Sequence, residues 1–208
     1  MIANYNFYDN TQPKENKRNY VALTGVLGTL EESHTYMGEK YYESFVFCQR
    51  ESKTVDMIPI IISETLLLSS DIIALGRVEV IGEIRTFYLE HKLKLYIHAF
   101  SIKAVPQNNS DTNLIKIEGR ICKRPTYRVT PLGREISDLC VAVQRPCGKI
   151  DYIPCITWGL AAQKCSKYEV GNPVSITGRF QSREYRKNEC TKTVFEISVR
   201  EIKEFPED

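Results

Sequence analysis

Three large aromatics, Tyr152, Trp158 and Tyr185, stand among Arg145, Lys149, Arg179, Arg183, Arg186 and Lys187 within one stretch of the chain. Rings and cations in that mixture suit a polyanion that carries flat bases. Every base presents a π-face to an aromatic ring whatever its identity, and Lys and Arg neutralise phosphates, so the combination favours single strands over a reactive small substrate. Arg124, Arg128 and Arg134 extend the basic set upstream. Phosphate contacts need no fixed spacing, because the backbone charge recurs along the strand. Each residue also has a plainer use. The arginines and lysines can form an ordinary solvated face, and Trp158 can plug a barrel end with its indole N–H bonded internally. Tyr152 has Ile150 and Cys155 close by, although strand alternation separates it from Ile153.

Catalysis finds little to work with. His34, His91 and His98 lie outside this stretch and lack metal-ligand spacing, and Gly25 and Gly28 read as strand glycines rather than a phosphate loop before a helix. No enzyme activity, cofactor or metal is expected. Seven cysteines, at 48, 122, 140, 147, 155, 165 and 190, occur singly. Cys140 and Cys155 sit in strand-like runs beside Val141 and Ile156, so they read as reduced thiols acting as small core residues.

At 208 residues the chain is long enough for two domains, each of about 100 residues with its own core. No apolar run reaches the roughly 18 residues a membrane span needs, and MIANYNFYDN lacks the regions of a signal peptide. A cytoplasmic protein is expected. The net charge of +2 conceals a division: residues 113–208 hold 17 Lys and Arg against 12 Asp and Glu, a balance of +5, leaving 11 against 14, or −3, for residues 1–112. The electrostatic case for nucleic acid lies with the C-terminal half.

The elements that must hold these residues come as an internal duplication. NYVALTG at 19–25 faces NLIKIEG at 113–119, CQRESKTVDMIP at 48–59 faces VQRPCGKIDYIP at 143–154, and LGRVEVIGEI at 75–84 echoes VGNPVSITGRF at 170–180. This period suits two copies of one domain rather than a solenoid. The expected organisation is an N-terminal arm at 1–18, a first domain at 19–103, a polar linker at 104–112 and a second domain at 113–204. In the arm, Tyr5, Phe7 and Tyr8 read as packing residues.

Within the second copy, Ile115, Ile117 and Ile121 alternate with polar neighbours, giving a first strand. Ile136 to Arg145, Ile150 to Thr157 and Val174 to Arg183 give three more, with a short helix from Gly159 to Lys167 between the last two. A polar, mobile hairpin, Glu184 to Lys192, leads to a fifth strand marked by Phe195, Ile197 and Val199. Three strands, a helix and two strands is the OB order. The expected fold class is therefore all-β: two tandem OB-fold five-stranded barrels, the second with a short capping helix. In the first copy Glu64 to Asp71 takes the place of the helix, and His91 to Ile102 is the last strand.

The second copy resembles the bacterial single-stranded-DNA-binding protein family. The resemblance rests on RPTYRVTPLGREI at 124–136, LCVAVQR at 139–145, DYIPCITWG at 151–159, VGNPVSITGRFQSREY at 170–185 and FEISV at 195–199. It implies base stacking on Tyr152, Trp158 and Tyr185. A further family stacking position falls near Cys147, where this chain has no ring, so a neighbour such as Tyr127 is expected to substitute. In the first copy the stacking positions fall on Met57, Ser63 and about Leu89; Phe87, Tyr88, Tyr36, Tyr41 and Tyr42 could substitute there, but read first as residues packed in the barrel or at an interface. That copy is expected to serve assembly or modulation. The resemblance further implies non-sequence-specific binding of single-stranded DNA in replication, recombination or repair, a nucleoid-associated location, and a homodimer supplying four OB folds.

Family members usually end in a flexible tail with an acidic tip closing on Ile-Pro-Phe. This sequence stops at Glu204-Phe205-Pro206-Glu207-Asp208, so recruitment of replication or repair proteins by that route is not expected. Two other readings stay open: a primosome-like or mobile-element accessory factor acting through protein contacts, and an RNA-binding OB protein that prefers RNA through the 2′-OH.

Overall fold

The computed structural model describes residues 18–90, 92–187 and 190–205, and within 185–192 it describes the backbone alone. The arm with Tyr5, Phe7 and Tyr8, and also His91, lie outside the described residues. The first half contains β1 (Asn19–Leu27), β2 (Glu31–Tyr36), β3 (Glu39–Gln49), β4 (Val55–Ser63), α1 (Glu64–Leu68), β5 (Arg77–Leu89) and β6 (Lys92–Ala104). The second contains β7 (Thr112–Val129), β8 (Glu135–Gln144), β9 (Ile150–Trp158), α2 (Leu160–Cys165), β10 (Pro173–Lys187) and β11 (Cys190–Glu204).

Each half closes on itself. The second ladder runs β7–β8–β9–β11–β10 and back to β7, with β9 and β11 parallel. The first runs β1–β3–β4–β6–β5 and back to β1, with β4 and β6 parallel. Both are OB barrels. Alternation drives the result: Ile115, Ile117, Ile121, Ile153, Cys155 and Ile197 are buried while their strand neighbours are not uniformly so, and they join one continuous apolar cluster with Val21, Leu23 and Val80 of the first half.

Three details differ from the expectation. The first copy also carries a helix, α1, whose N-cap Ser63 hydroxyl accepts the Leu66 N–H at 3.2 Å. None of its residues is fully buried, and Leu66 and Leu67 pack partly against the core. The hairpin at 184–192 continues the β10–β11 ladder to Lys187↔Cys190 instead of leaving it. The segment between β6 and β7 is tied down, with Asp111 ion-paired to Arg77 and accepting the Gln49 N–H.

The two barrels meet through antiparallel pairing of β1 with β7, from Asn19↔Ile117 to Thr24↔Thr112. Repeated residues make repeated contacts within each barrel beside this seam and across it. The Asn19 amide brackets the Ile84 backbone at 2.8 and 2.9 Å, and Asn113 brackets Phe180 at 2.7 and 2.8 Å. Asp56, held by Arg50, accepts the Ser182 N–H at 3.1 Å, and the Ser182 hydroxyl accepts the Met57 N–H at 3.0 Å. Asp151, held by Arg145, likewise accepts the Thr86 N–H at 2.6 Å, and the Thr86 hydroxyl accepts the Tyr152 N–H at 3.1 Å. Each carboxylate thus satisfies a backbone donor of the other barrel, and the chain folds as a pseudo-twofold pair.

Close strand approach sets one further constraint. At the β-bulges beginning at Gly82 and Gly178, an added Cβ would meet the carbonyl oxygens of His98 and Ser198 at 2.3 and 2.5 Å. Glycine is required there by space rather than by backbone angle.

Candidate nucleic-acid interface

A groove of about 910 Å³ opens beside the seam, lined by Trp158, Arg134, Arg179, Arg183 and Arg200 of the second barrel and by Arg50, Val55 and Met57 of the first. Local structure explains the exposure of Trp158. It is the last residue of β9, and Gly159 follows with φ of 56° to turn the chain into α2, so the indole sits at the barrel rim. The ring is 40% exposed. That geometry replaces the barrel-plug reading with an accessible face.

Among the described residues, five arginines line this groove against one carboxylate, that of Glu184. Arg183 donates from Nε to Glu196 at 2.8 Å, and Gln181 donates to the same oxygen at 2.8 Å. Glu196 is buried, so the pair anchors the Arg183 stem at the groove wall. Arg179 is half-buried, and its pKa is drawn down by desolvation and then by the positive charge of Arg50.

Of the other expected residues, Tyr127, Tyr152, Arg124, Arg128 and Lys149 do not line this groove. Tyr152 is 39% exposed and shares the outer face of β9 with Trp158, roughly 20 Å away at strand rise. Tyr127 is exposed on β7, and its hydroxyl donates to Glu135 at 2.7 Å. That hydrogen bond raises the Tyr127 pKa and lowers that of Glu135, which also accepts from Gln163. Arg128 is exposed and faces Asp138 at 2.9 Å. Arg124, Arg134 and Lys149 are exposed. The side chains of Tyr185, Arg186 and Lys187 lie outside the described residues.

Arg145 is a correction. It is buried and grips Asp151 at 2.7 and 2.6 Å, with a further contact to the Thr86 carbonyl. A guanidinium already matched by a buried carboxylate offers no free fork to a phosphate. Cys147, at the position without a ring, is exposed in the β8–β9 turn, whereas Cys48, Cys140, Cys155 and Cys165 are buried. Burial pushes the Cys48 and Cys140 thiols up to about 12, as expected of unreactive core thiols.

Sequence reasoning missed Arg50 and Arg200. Arg50 aligns with Arg145 in the repeat, which was a usable signal for a shared salt bridge but not for a groove. Arg200 directly follows the FEISV segment, and nothing in its spacing points to Arg179.

The description "Single-strand binding protein family" belongs to the family model that matches residues 112–205. A single-stranded DNA-binding protein of Clostridium tetani is 31% identical over 99 residues, covering 44% of this chain and 68% of that protein. Single-stranded DNA-binding protein B of Bacillus subtilis is 32% identical over 84 residues, covering 37% of this chain and 74% of that protein. Against the Halalkalibacterium halodurans relative the match spans 50% of the relative's length. The wild-type single-stranded DNA binding protein of Thermus aquaticus superposes with a TM-score of 0.76 over 91% of this chain and 94% of that one, at 15% identity, so the two share a fold through both barrels. Sequence similarity over the second barrel and a common fold over the whole agree: this chain belongs to the single-strand binding protein family.

Proposed function

We propose that the chain binds single-stranded DNA without sequence preference, acting in replication, recombination or repair, with residues 113–204 carrying the binding surface. The observation that supports this most directly is the exposed Trp158 ring set among Arg134, Arg179 and Arg183 in one open groove. A rim-mounted indole gives a base a platform, and the surrounding guanidiniums meet the phosphates on either side. Tyr152 and Tyr127 supply further platforms, with Arg124, Arg128, Arg134, Lys149, Arg183 and, on the hairpin, Tyr185, Arg186 and Lys187 completing the path.

The role is binding rather than catalysis. Residues 19–103 serve chiefly in assembly, a reading supported by the packing of Tyr41 and Tyr96 with Tyr36 and Phe87 in a small aromatic cluster. Two chains pair to bring four barrels together. The test is truncation of the ring: Trp158→Ala weakens binding to oligo-dT by about 1 to 3 kcal/mol, measured by anisotropy of a labelled strand. Unchanged affinity contradicts the reading.

A further inference from the structure

The pseudo-twofold seam carries two related clasps, and their charges differ. The first contains Arg85 and Arg145 against Glu83 and Asp151, two positive and two negative charges, with Glu83 paired to Arg85 and Asp151 to Arg145. At the related positions of the second, Arg179 replaces Glu83 and Gln181 replaces Arg85, while Arg50 and Asp56 repeat Arg145 and Asp151. The bulge residue that is Phe100 on β6 is Arg200 on β11. Over these five positions the second clasp sums to +2 where the first sums to zero, and Glu51 and Asp111 complete the acidic lining of the recess beside it.

Asp56 is already occupied. It takes Arg50 at 2.7 and 2.5 Å and the Ser182 N–H at 3.1 Å. Among the described residues Arg179 Nε is buried with no hydrogen-bond partner, and the same guanidinium donates to Gln181 at 3.5 Å. The groove continues here into a recess of about 540 Å³ that shares Arg50, Arg179 and Arg200. Asp111 and Glu51 border its other end, and Asp111 is held by Arg77. A buried donor without an acceptor, at the edge of a groove lined by five arginines and one carboxylate, calls for an anion.

We infer that Arg179 and Arg200, backed by Arg50, form a phosphate-binding subsite in the cleft between the barrels, which leads the nucleic-acid backbone from Trp158 onto the β3–β4 hairpin of the first barrel. The inference rests on the proposed function and extends it: the first barrel contributes an edge to the binding path. Met57, the repeat counterpart of Tyr152, lines the same groove and gives the crossing strand an apolar rest.

The test uses the full chain and an Arg179→Gln/Arg200→Gln double variant, titrated with oligo-dT from 0.05 to 0.5 M NaCl. Losing about two phosphate contacts lowers the slope of log K against log salt by about 1.4 and weakens binding on the order of 20-fold at 0.1 M salt. Arg179→Glu, which installs the residue of the first clasp, weakens it further. An unchanged slope while wild type binds overturns the subsite and leaves the proposed function standing. Thermal stabilisation by inorganic pyrophosphate separates the reverse case. If pyrophosphate stabilises wild type but not the double variant while oligo-dT binds neither, the anion site holds and the DNA reading falls. Should the double variant fail to fold, exposed Arg200→Gln alone carries the test, with a slope change of about 0.7.

Discussion

Replacing Asp151 by alanine probes the seam at its most committed point. The carboxylate is fully buried and receives Arg145 at 2.7 and 2.6 Å, the Thr86 N–H at 2.6 Å, the Thr86 hydroxyl at 3.1 Å and Arg85 at 3.5 Å. Removing it strands Arg145, whose side chain is only 6% exposed, along with a backbone donor from the other barrel, while Arg85 keeps its pairing with Glu83. Breaking a buried pair in this way costs about 3 to 5 kcal/mol, because an uncompensated charge stays in the interior. Asp56→Ala makes the internal control. Its partner Arg50 is 22% exposed and recovers hydration, so the loss is about 1 to 3 kcal/mol, mainly the unsatisfied Ser182 N–H. Urea unfolding followed by far-UV circular dichroism reads the difference. With a slope near 2.5 kcal/mol per molar, Asp151→Ala moves the midpoint down by about 1 to 2 M. Asp151→Asn falls between, since it keeps acceptor geometry and loses charge. A midpoint for Asp151→Ala within experimental error of wild type, or a larger loss for Asp56→Ala, refutes the reasoning.

Further outcomes follow from the same geometry. Gly178→Ala forces a Cβ to within 2.5 Å of the Ser198 carbonyl, and the displaced strand costs about 1 to 3 kcal/mol in urea unfolding; a neutral substitution contradicts the close approach. Burial, then the charge of Arg85, lowers the His98 pKa to about 4. The unfolded chain therefore binds more protons between about 6.5 and 4, and stability falls as pH drops through that window, by up to about 3 kcal/mol. His98→Phe flattens the acid limb of the stability profile, and an unaltered limb removes His98 as its source. Light scattering at micromolar concentration returns twice the mass of one chain if two chains assemble the four barrels, whereas a strict monomer rejects that assembly.

Much of the fold was legible because strand period and repeat are local signals. Ile115, Ile117 and Ile121 announce β7 by alternation, and the paired strings around Asp56 and Asp151 announce the duplication. The exposed Trp158 was legible as a candidate from its basic company. Contacts between the barrels were not. Arg145 reads as a surface cation until β5 closes over it through Thr86, some 60 residues away in sequence. Arg200 reaches Arg179 through the β10–β11 ladder, and Arg50 joins them only where the two barrels pair, which no local pattern encodes. Helix α1 stays hidden because its five residues are too few to show a helical period.

Trp158 is the single tryptophan of the chain, and it stands in the groove proposed to receive the strand. Titrating its intrinsic fluorescence with oligo-dT and with oligo-U at two salt concentrations reports ring contact, sugar preference and charge dependence together. Strong quenching by oligo-dT, weakened by salt and less marked with oligo-U, is the predicted result. Emission that stays constant while a labelled oligo-dT demonstrably binds elsewhere on the protein contradicts the claim that this groove receives the strand.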